Sequence, residues 1–554
     1  MSERKRVLIV GGVAGGASAA ARARRLSEDA EIILFERGEY ISFANCGLPY
    51  HISGTIEDRR RLLVQTPEKM QKRYRIDVRT GSEVIAINRD NKEITIRETE
   101  SEKEYSESYD SLILSPGAEP NRFPIPGIDS KTVFTLRSMK DMDAIINQID
   151  ENKTGQVVVV GGGYIGLEIT EAFRQRGLDV TLVELAPQVM VTADPEMTSL
   201  IKHKLHEQGV HLKLNTSVTS ISEGVDSTLV VLSNGETVSC GQVVFSVGVR
   251  PDIAFVKEAG LEIGERGGIV VDEHMRTSDP DIYAVGDAVE VTDFVGNFQT
   301  LIPLAGPANR QGRIAADVIF GRDSRYKKTQ GTAICKVFDT SIAMTGMNEK
   351  SLKRIGRNYE KIYIHQANHA TYYPGASTIS LKLLFDPGNG RILGAQAVGF
   401  EGVDKRIDIL AVAIRAGMTV YDLEHLELAY APPYGSAKDP VNFAGFVAAN
   451  ILRGDANVCH YEDVSNPGVG QMLLDVRSKL EFRAGAIPDA INIPIDDLRE
   501  HLDELPKDKE LLVNCQVGFR AYLACRILTQ HGFKCRNLSG GYKTYIDFSN
   551  TLAN

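Results

Sequence analysis

Residues 156–184, QVVVVGGGYIGLEITEAFRQRGLDVTLVE, decide the fold. A run of valines enters Gly161, Gly163 and Gly166 in a GxGxxG spacing, and a helix-like stretch follows. Those glycines permit a tight turn and a close backbone approach, so a pyrophosphate can rest on the helix N-terminus. Glu184 closes the next strand-like run, eighteen residues past Gly166. A carboxylate there accepts hydrogen bonds from ribose hydroxyls and repels a 2′-phosphate, which favours NADH and leaves NADPH as the alternative. Strand, turn, helix and acid together specify a dinucleotide site and not a bare Gly-rich turn.

A second copy stands near the N-terminus. VLIV (residues 7–10) leads into GGVAGG, with Gly11 and Gly16 in place and Val13 where the middle glycine belongs. Glu36 ends EIILFE, twenty residues beyond Gly16. Val13 weakens this copy, but two distant segments support it: SLILSPGAEP (111–120) and TSDPDIYAVGDA (277–288). Two such turns imply two dinucleotides bound by one α/β chain with parallel sheets.

The rest of the chain sets the bounds. At 554 residues it exceeds one core, and about 150 residues per domain predicts three to four units. A net charge of −10 without a long Lys/Arg run argues against general nucleic-acid or membrane-surface binding. No uninterrupted apolar stretch reaches the roughly 18 residues of a membrane span. SERKR followed by an apolar stretch imitates a signal peptide, yet cleavage there would destroy the first phosphate turn, so a cytoplasmic location is expected. Seven cysteines, an odd number without framework spacing, fit a reducing compartment. Neither a CxxC nor an HExxH pair occurs, so no metal site is expected. From about Lys328 the pattern changes to alternating runs, TISLKLLF and ILGAQAV around PGNGR, which predicts an antiparallel sheet.

The order and spacing of these segments resemble the pyridine nucleotide-disulfide oxidoreductase family over about residues 5–450. The resemblance implies two Rossmann-like dinucleotide-binding domains, an α+β dimerisation domain and a C-terminal α/β domain. The expected boundaries are 1–118 with 246–327 for FAD, 119–245 for NAD(P)H, 328–450 for dimerisation, 451–465 for a linker and 466–554 for the last domain. Cofactor contacts are implied at Gly11, Gly12, Ala14, Gly16, Glu36, Arg37, Ser115, Gly117, Gly248, Gly286, Asp287 and Ala305, besides Gly161, Gly163, Gly166 and Glu184. Asp287 would contact the flavin's ribityl chain.

Cys46 lies in YISFANCGLPYHISG, just after the FAD acid. A free cysteine is usually a small buried hydrophobe, which accounts for Cys240, Cys335, Cys459, Cys525 and Cys535. Cys46 differs because a turn and helix start follow it, and a helix N-terminus stabilises a thiolate. Two-cysteine members of the family use a CxxxxC pair, but Ile41 and His51 occupy the partner positions here. A lone redox cysteine cycles through a mixed disulfide, a persulfide or a sulfenic acid. In the peroxidase and oxidase branch a His stands in the first turn, at the position of Ala14. SFANCGLPY instead resembles the coenzyme A-disulfide reductase branch, as do HATYYPG with Tyr372 and YAPPYGSAKD with Tyr430. The branch implies a homodimer in which both tyrosines reach the other subunit's Cys46. It also implies coenzyme A contacts at Arg22, Arg25, Ser42, Asn45, Asn309 and Lys438. Arg24 competes as a solvated face, and Tyr74 stands where that branch carries a lysine.

LLDVRSKLEFRAGAIPDAINIP (473–494) and CQVGFR (515–520) resemble a rhodanese domain of the sulfur-carrying type. Cys515 would carry the sulfur, and Arg520 with loop N–H groups would stabilise it. The expected activity is therefore NADH- and FAD-dependent reduction of coenzyme A disulfide or persulfide, with small-molecule thiol partners, no nucleic acid and no membrane. Two rivals stand beside it: an NADH oxidase or peroxidase using a Cys46 sulfenic acid, and a flavin-based redox or sulfur sensor that signals to a partner protein.

Overall fold

The computed structural model describes residues 4–151 and 154–552. Two bodies emerge: one runs to Leu185 and from Val210 to Gly331, the other holds Ala186–Gly209 and everything from Thr332. Both are mixed α/β, as the alternation of apolar runs implied.

The first body contains two five-stranded parallel sheets. Ile282–Ala284, Ser111–Leu114, Arg6–Val10, Glu31–Glu36 and Asp77–Thr80 form one, in that order. His211–Lys213, Asp179–Val183, Gln156–Val160, Gln242–Phe245 and Val133–Thr135 form the other. Their central strands are near-continuous Val/Ile/Leu because both faces are covered, and Ile9, Leu34, Ile113, Val158 and Val159 are fully buried. Antiparallel Ala118–Pro120 and Val249–Pro251 carry the chain between the two sheets. Helices Ala14–Leu26 and Ala305–Ile319 pack through small residues. A Cβ on Gly312 would lie 2.1 Å from the Gly15 carbonyl oxygen, so even a methyl would force the helices apart.

The second body begins with the predicted antiparallel sheet: Ala333–Val337, Thr340–Gly346, Ile392–Gly399, Thr378–Phe385 and Glu360–Ala367. A parallel sheet of Val458–Cys459, Cys535–Leu538, Glu510–Asn514, Gln471–Asp475 and Ile491–Asn492 forms the C-terminal part. Of the stretch 451–465, expected as a linker, Ile451 and Leu452 end helix Pro440–Leu452, and the residues from Val458 onward join this part. Val458–Cys459 is its edge strand, and Tyr461 of the following helix stacks on Phe548 at 4.9 Å between centroids. The Gly-bearing turn before it marks only the corner.

The excursion Ala186–Gly209 lies in sequence within the expected NAD(P)H segment but groups with the second body. The cause is a buried ionic knot. Lys382, fully buried on the antiparallel sheet, donates to Asp194 Oδ2 (2.6 Å), Glu196 Oε1 (2.5 Å) and Glu349 Oε1 (2.5 Å). Tyr363 donates to Glu196 at 2.8 Å, Gln396 to Asp194 at 2.7 Å and Lys361 to Glu349 at 3.2 Å. Three grouped carboxylates are a cation site by chemistry, and the cation here is the Lys382 ammonium. Such a cluster survives burial only because every charge has a partner.

Candidate active site

The first glycine turn is fixed by close approach. Gly11 has φ +91°, and a Cβ on it would lie 2.0 Å from the Ser115 carbonyl oxygen. A Cβ on Gly16 would lie 1.9 Å from the Gly11 oxygen. Glu36 accepts from the Gly12 and Gly38 N–H groups, both at 2.8 Å, which orients its carboxylate at the strand end. Val13 begins helix Ala14–Leu26 without a side-chain cap, as Leu304 does for the helix opened by Ala305. The Gly286–Ala288 turn meets the latter helix through the Gly286 N–H, which donates to Gln311 at 2.7 Å. Burial raises the Asp287 carboxyl pKa, and the Arg137 guanidinium, 4.0 Å away, opposes that rise. Arg37 is paired with Asp252 at 2.6 Å, while Gly117 and Gly248 turn the chain at positive φ beside Arg137 and Asn121.

The second turn repeats the design with one difference. Cβ atoms on Gly161 and Gly166 would meet backbone oxygens at 2.5 and 1.8 Å, whereas a Cβ on Gly163 meets nothing within 4 Å. Gly163 therefore faces open space at the N-terminus of helix Tyr164–Gln175, where no side chain caps the helix. Glu184 accepts from the Gly162 N–H at 2.6 Å. This is a cradle for a pyrophosphate with an acid beside it, and both turns fit the two dinucleotides.

Cys46 sits exposed in the 3₁₀ turn Asn45–Gly47, before the short helix Leu48–Ile52. The expected thiolate stabilisation does not appear. Surrounding protein first, then the carboxylates of Glu168 and Asp287, push the thiol above its ordinary pKa. A five-residue helix cannot outweigh two nearby carboxylates. Glu168 escaped the sequence reading. Burial pushes its carboxyl up to about 7, and Tyr50 donates to it at 3.4 Å. The available signal was an acid placed on an otherwise apolar helix face, two residues after Gly166.

A cavity of about 400 Å³ opens beside the first turn, lined by Ala14, Arg25, Ser42 and Asn309. Tyr74, Gln65 and Arg313 also line it, the last two unforeseen. Gln65 Oε1 is buried without a partner, as is Asn45 Oδ1. Arg22 is absent from the lining because Asp317 holds its guanidinium at 2.6 Å. Arg24 is buried and donates to four backbone carbonyls, so it is a structural residue and not a solvated face. In the second body, Tyr372 and Tyr430 hydroxyls lie 2.9 Å apart on exposed loops, and Lys438 is exposed just before helix Pro440–Leu452.

Cys515 is fully buried at the base of its loop, where its Sγ accepts the Gly518 N–H at 3.2 Å. Among the described residues, this one backbone N–H is fewer than the ring of donors expected from a six-residue loop. The last helix braces the loop from behind: Tyr542 N–H donates to the Cys515 carbonyl at 2.7 Å and Lys543 N–H to that of Gln516 at 3.0 Å. Arg477, buried against Asp475 and lying over the Tyr542 ring at 4.0 Å, donates to Gln516 at 3.3 Å. Arg520 pairs with Glu481 through two hydrogen bonds of 2.8 and 2.6 Å. Cys240, Cys335, Cys459, Cys525 and Cys535 are buried.

Two dinucleotide cradles and one exposed thiol in the same body define an oxidoreductase that uses NAD(P)H and FAD to work on sulfur. The chain belongs to the pyridine nucleotide-disulphide oxidoreductase family, whose model matches residues 5–312. The family's dimerisation domain matches 332–439, and a rhodanese-like domain matches 461–547. Among its relatives, the coenzyme A disulfide reductase of Staphylococcus haemolyticus is 37% identical over 81% of this chain and 100% of its own. The fold matches reduced Bacillus anthracis CoADR-RHD with a TM-score of 0.95, at 48% identity over 99% of this chain and 98% of that one. It also matches the NAD-dependent persulfide reductase from A. fulgidus, TM-score 0.91, at 38% identity over 98% of this chain and 100% of that one. Among the described residues, no helix is long and apolar enough to cross a membrane.

Proposed function

We propose that this protein is a homodimeric, cytoplasmic NADH-dependent reductase of coenzyme A disulfide and coenzyme A persulfide, working through Cys46 and fused to a sulfur-carrying domain on Cys515. One observation carries the reading: the exposed Cys46 shares its body with a cavity of about 400 Å³ lined by Arg25, Ser42 and Asn309, groups suited to the phosphates of a large thiol. FAD, when bound, supplies a two-electron relay between the nicotinamide and this thiol.

The chain's own residues do the rest. Cys46 thiolate attacks one sulfur of the disulfide, and the departing coenzyme A thiolate takes a proton. The nearby Glu168 carboxyl, which titrates near neutrality, is the proton source at hand. Two electrons then break the Cys46–S–S–CoA bond and restore the thiolate. NADH, a proton and the disulfide thus give NAD⁺ and two thiols; the persulfide gives one thiol and hydrogen sulfide. Arg25, Ser42, Asn45 and Asn309 hold the nucleotide end, with Lys438 and the Tyr372–Tyr430 pair supplied by the second subunit. Glu184 selects NADH by repelling a 2′-phosphate. Ala14, in place of a histidine, supports thiol chemistry over peroxide chemistry.

The test is anaerobic NADH oxidation with coenzyme A disulfide, coenzyme A persulfide or peroxide, using Cys46→Ser as control. Fast Cys46-dependent turnover of the coenzyme A substrates is expected. Faster turnover of peroxide would refute the reading.

A further inference from the structure

Arg520 closes the Cys515 loop in the first turn of helix Phe519–Gln530. On one side it interacts with Cys515; on the other Glu481 grips it at 2.8 and 2.6 Å. Glu481 is itself fixed, because Ser478 donates to it from Oγ (2.8 Å) and N–H (3.0 Å) in the capping box of helix Lys479–Arg483. Arg520 holds the Glu481 carboxyl down to about 2, so the pair is internally neutral across the physiological range. The surface beside it is apolar: Leu480, Phe519 and Leu523 are 79%, 52% and 39% exposed. Phe519 and Leu523 share one face of helix Phe519–Gln530, and Phe519 meets the edge of Phe443 at 6.4 Å. Lys479 and Arg483, the cations of the short helix Lys479–Arg483, are exposed.

We propose that Glu481 sets the donor class of the C-terminal domain: by neutralising Arg520 beside an apolar rim, it admits organic persulfides and turns away thiosulfate. The proposal rests on the reading that Cys515 carries sulfane sulfur. In either reaction the Cys515 thiolate attacks the outer sulfur and breaks the inner S–S or S–SO₃ bond. An organic persulfide leaves behind a thiolate, which takes one proton. Thiosulfate leaves behind sulfite, a dianion that must depart beside a cation. Arg520 is the cation in position, and Glu481 cancels it. The persulfide of a thiol with an uncharged arm needs no such cation, and its arm can lie along Phe519, Leu480 and Leu523. Any phosphates it carries stay at the far end of that arm.

The experiment uses the full-length protein without NADH, with cyanide as acceptor and thiocyanate as readout. Thiosulfate and coenzyme A persulfide are compared as donors. Glutamine keeps the capping box, so Glu481→Gln removes the charge while preserving the helix start. Glu481→Gln is expected to raise kcat/KM for thiosulfate by about tenfold and to leave the persulfide value within about threefold. Adding Arg520→Met should erase the gain, and Ser478→Ala, which loosens the helix but keeps the ion pair, should not produce it. An unchanged thiosulfate-to-persulfide ratio in Glu481→Gln overturns the donor assignment. If Cys515→Ser leaves thiocyanate formation intact, the sulfur-carrier reading itself falls, and the assignment with it.

Discussion

Replacing Lys382 with Met leaves three carboxylates facing one another in the interior without their ammonium. Lys382 is fully buried, and each carboxylate lies within 2.6 Å of its Nζ. Methionine matches the length of the stem, so packing changes little and the cost is electrostatic. Breaking a buried pair from one side costs about 3–5 kcal/mol. At about 2–4 °C per kcal/mol for a body of 150–250 residues, the melting transition should fall by roughly 6–20 °C at pH 7. The penalty should depend on pH in a defined direction. Lys382 and Lys361 hold the Glu349 carboxyl far below its ordinary value against the effect of burial. A depressed carboxylate contributes stability that is present above its unfolded pKa of about 4.5 and lost as pH falls. Lys382, raised above its ordinary value, stays charged throughout that range. In the variant the orphaned carboxylates bind protons in the folded state, so the gap to wild type should narrow from pH 7 to pH 5. Differential scanning fluorimetry of the FAD-loaded protein at both pH values measures this. A loss under about 1 kcal/mol at pH 7, or a gap that widens on acidification, would refute the ionic account.

Other expectations concern the first body. Gly163→Ala should leave the melting point within about 1 °C yet raise KM for NADH about tenfold, since its methyl enters only open space that a pyrophosphate would fill; Gly166→Ala, clashing at 1.8 Å, should fail to give soluble protein. Loss of the carboxylate in Glu184→Ala should cut the NADH-over-NADPH ratio of kcat/KM by about tenfold, and an unchanged ratio would place the selector elsewhere. Glu168→Gln removes a charge that raises the Cys46 thiol, so iodoacetamide should alkylate Cys46 about threefold faster at pH 7, with the rate profile displaced to lower pH.

Both sheets of the first body were legible because their rules are local. The strand–turn–helix units at Gly11 and Gly161 need particular glycines, and the strands between are apolar without interruption. Alternation exposed the antiparallel sheet for the same reason. Long-range electrostatics were not legible. The carboxylates that press on Cys46 come from Glu168 and Asp287, far apart in sequence, and neither lies near SFANCGLPY. Arg22 and Arg24 read alike as helix cations, yet Asp317 and a set of carbonyls claim them. The ionic knot was equally hidden, because nothing around Asp194 marks it as a partner for residues 349 and 382. Residues 451–465 misled through composition: a Gly-bearing polar turn looks like a tether even when the next two residues extend a sheet.

The last helix, Gly541–Leu552, has a consequence for how such a fusion evolves. It does not hang from the preceding domain but reaches back along it. The Asn550 carbonyl receives Lys202 at 3.0 Å, and Thr544 bonds the buried His365 at 2.7 Å. Tyr363 lies edge-on to Phe548, and its backbone N–H donates a hydrogen bond to Ser539 Oγ at 3.0 Å. Deleting the C-terminal residues would therefore strip the cover from a histidine, a tyrosine and the neighbouring acids at once. A fusion of this kind acts as a ratchet: once the covered face has been rebuilt to suit its lodger, discarding the lodger requires many compensating substitutions where joining it required one event.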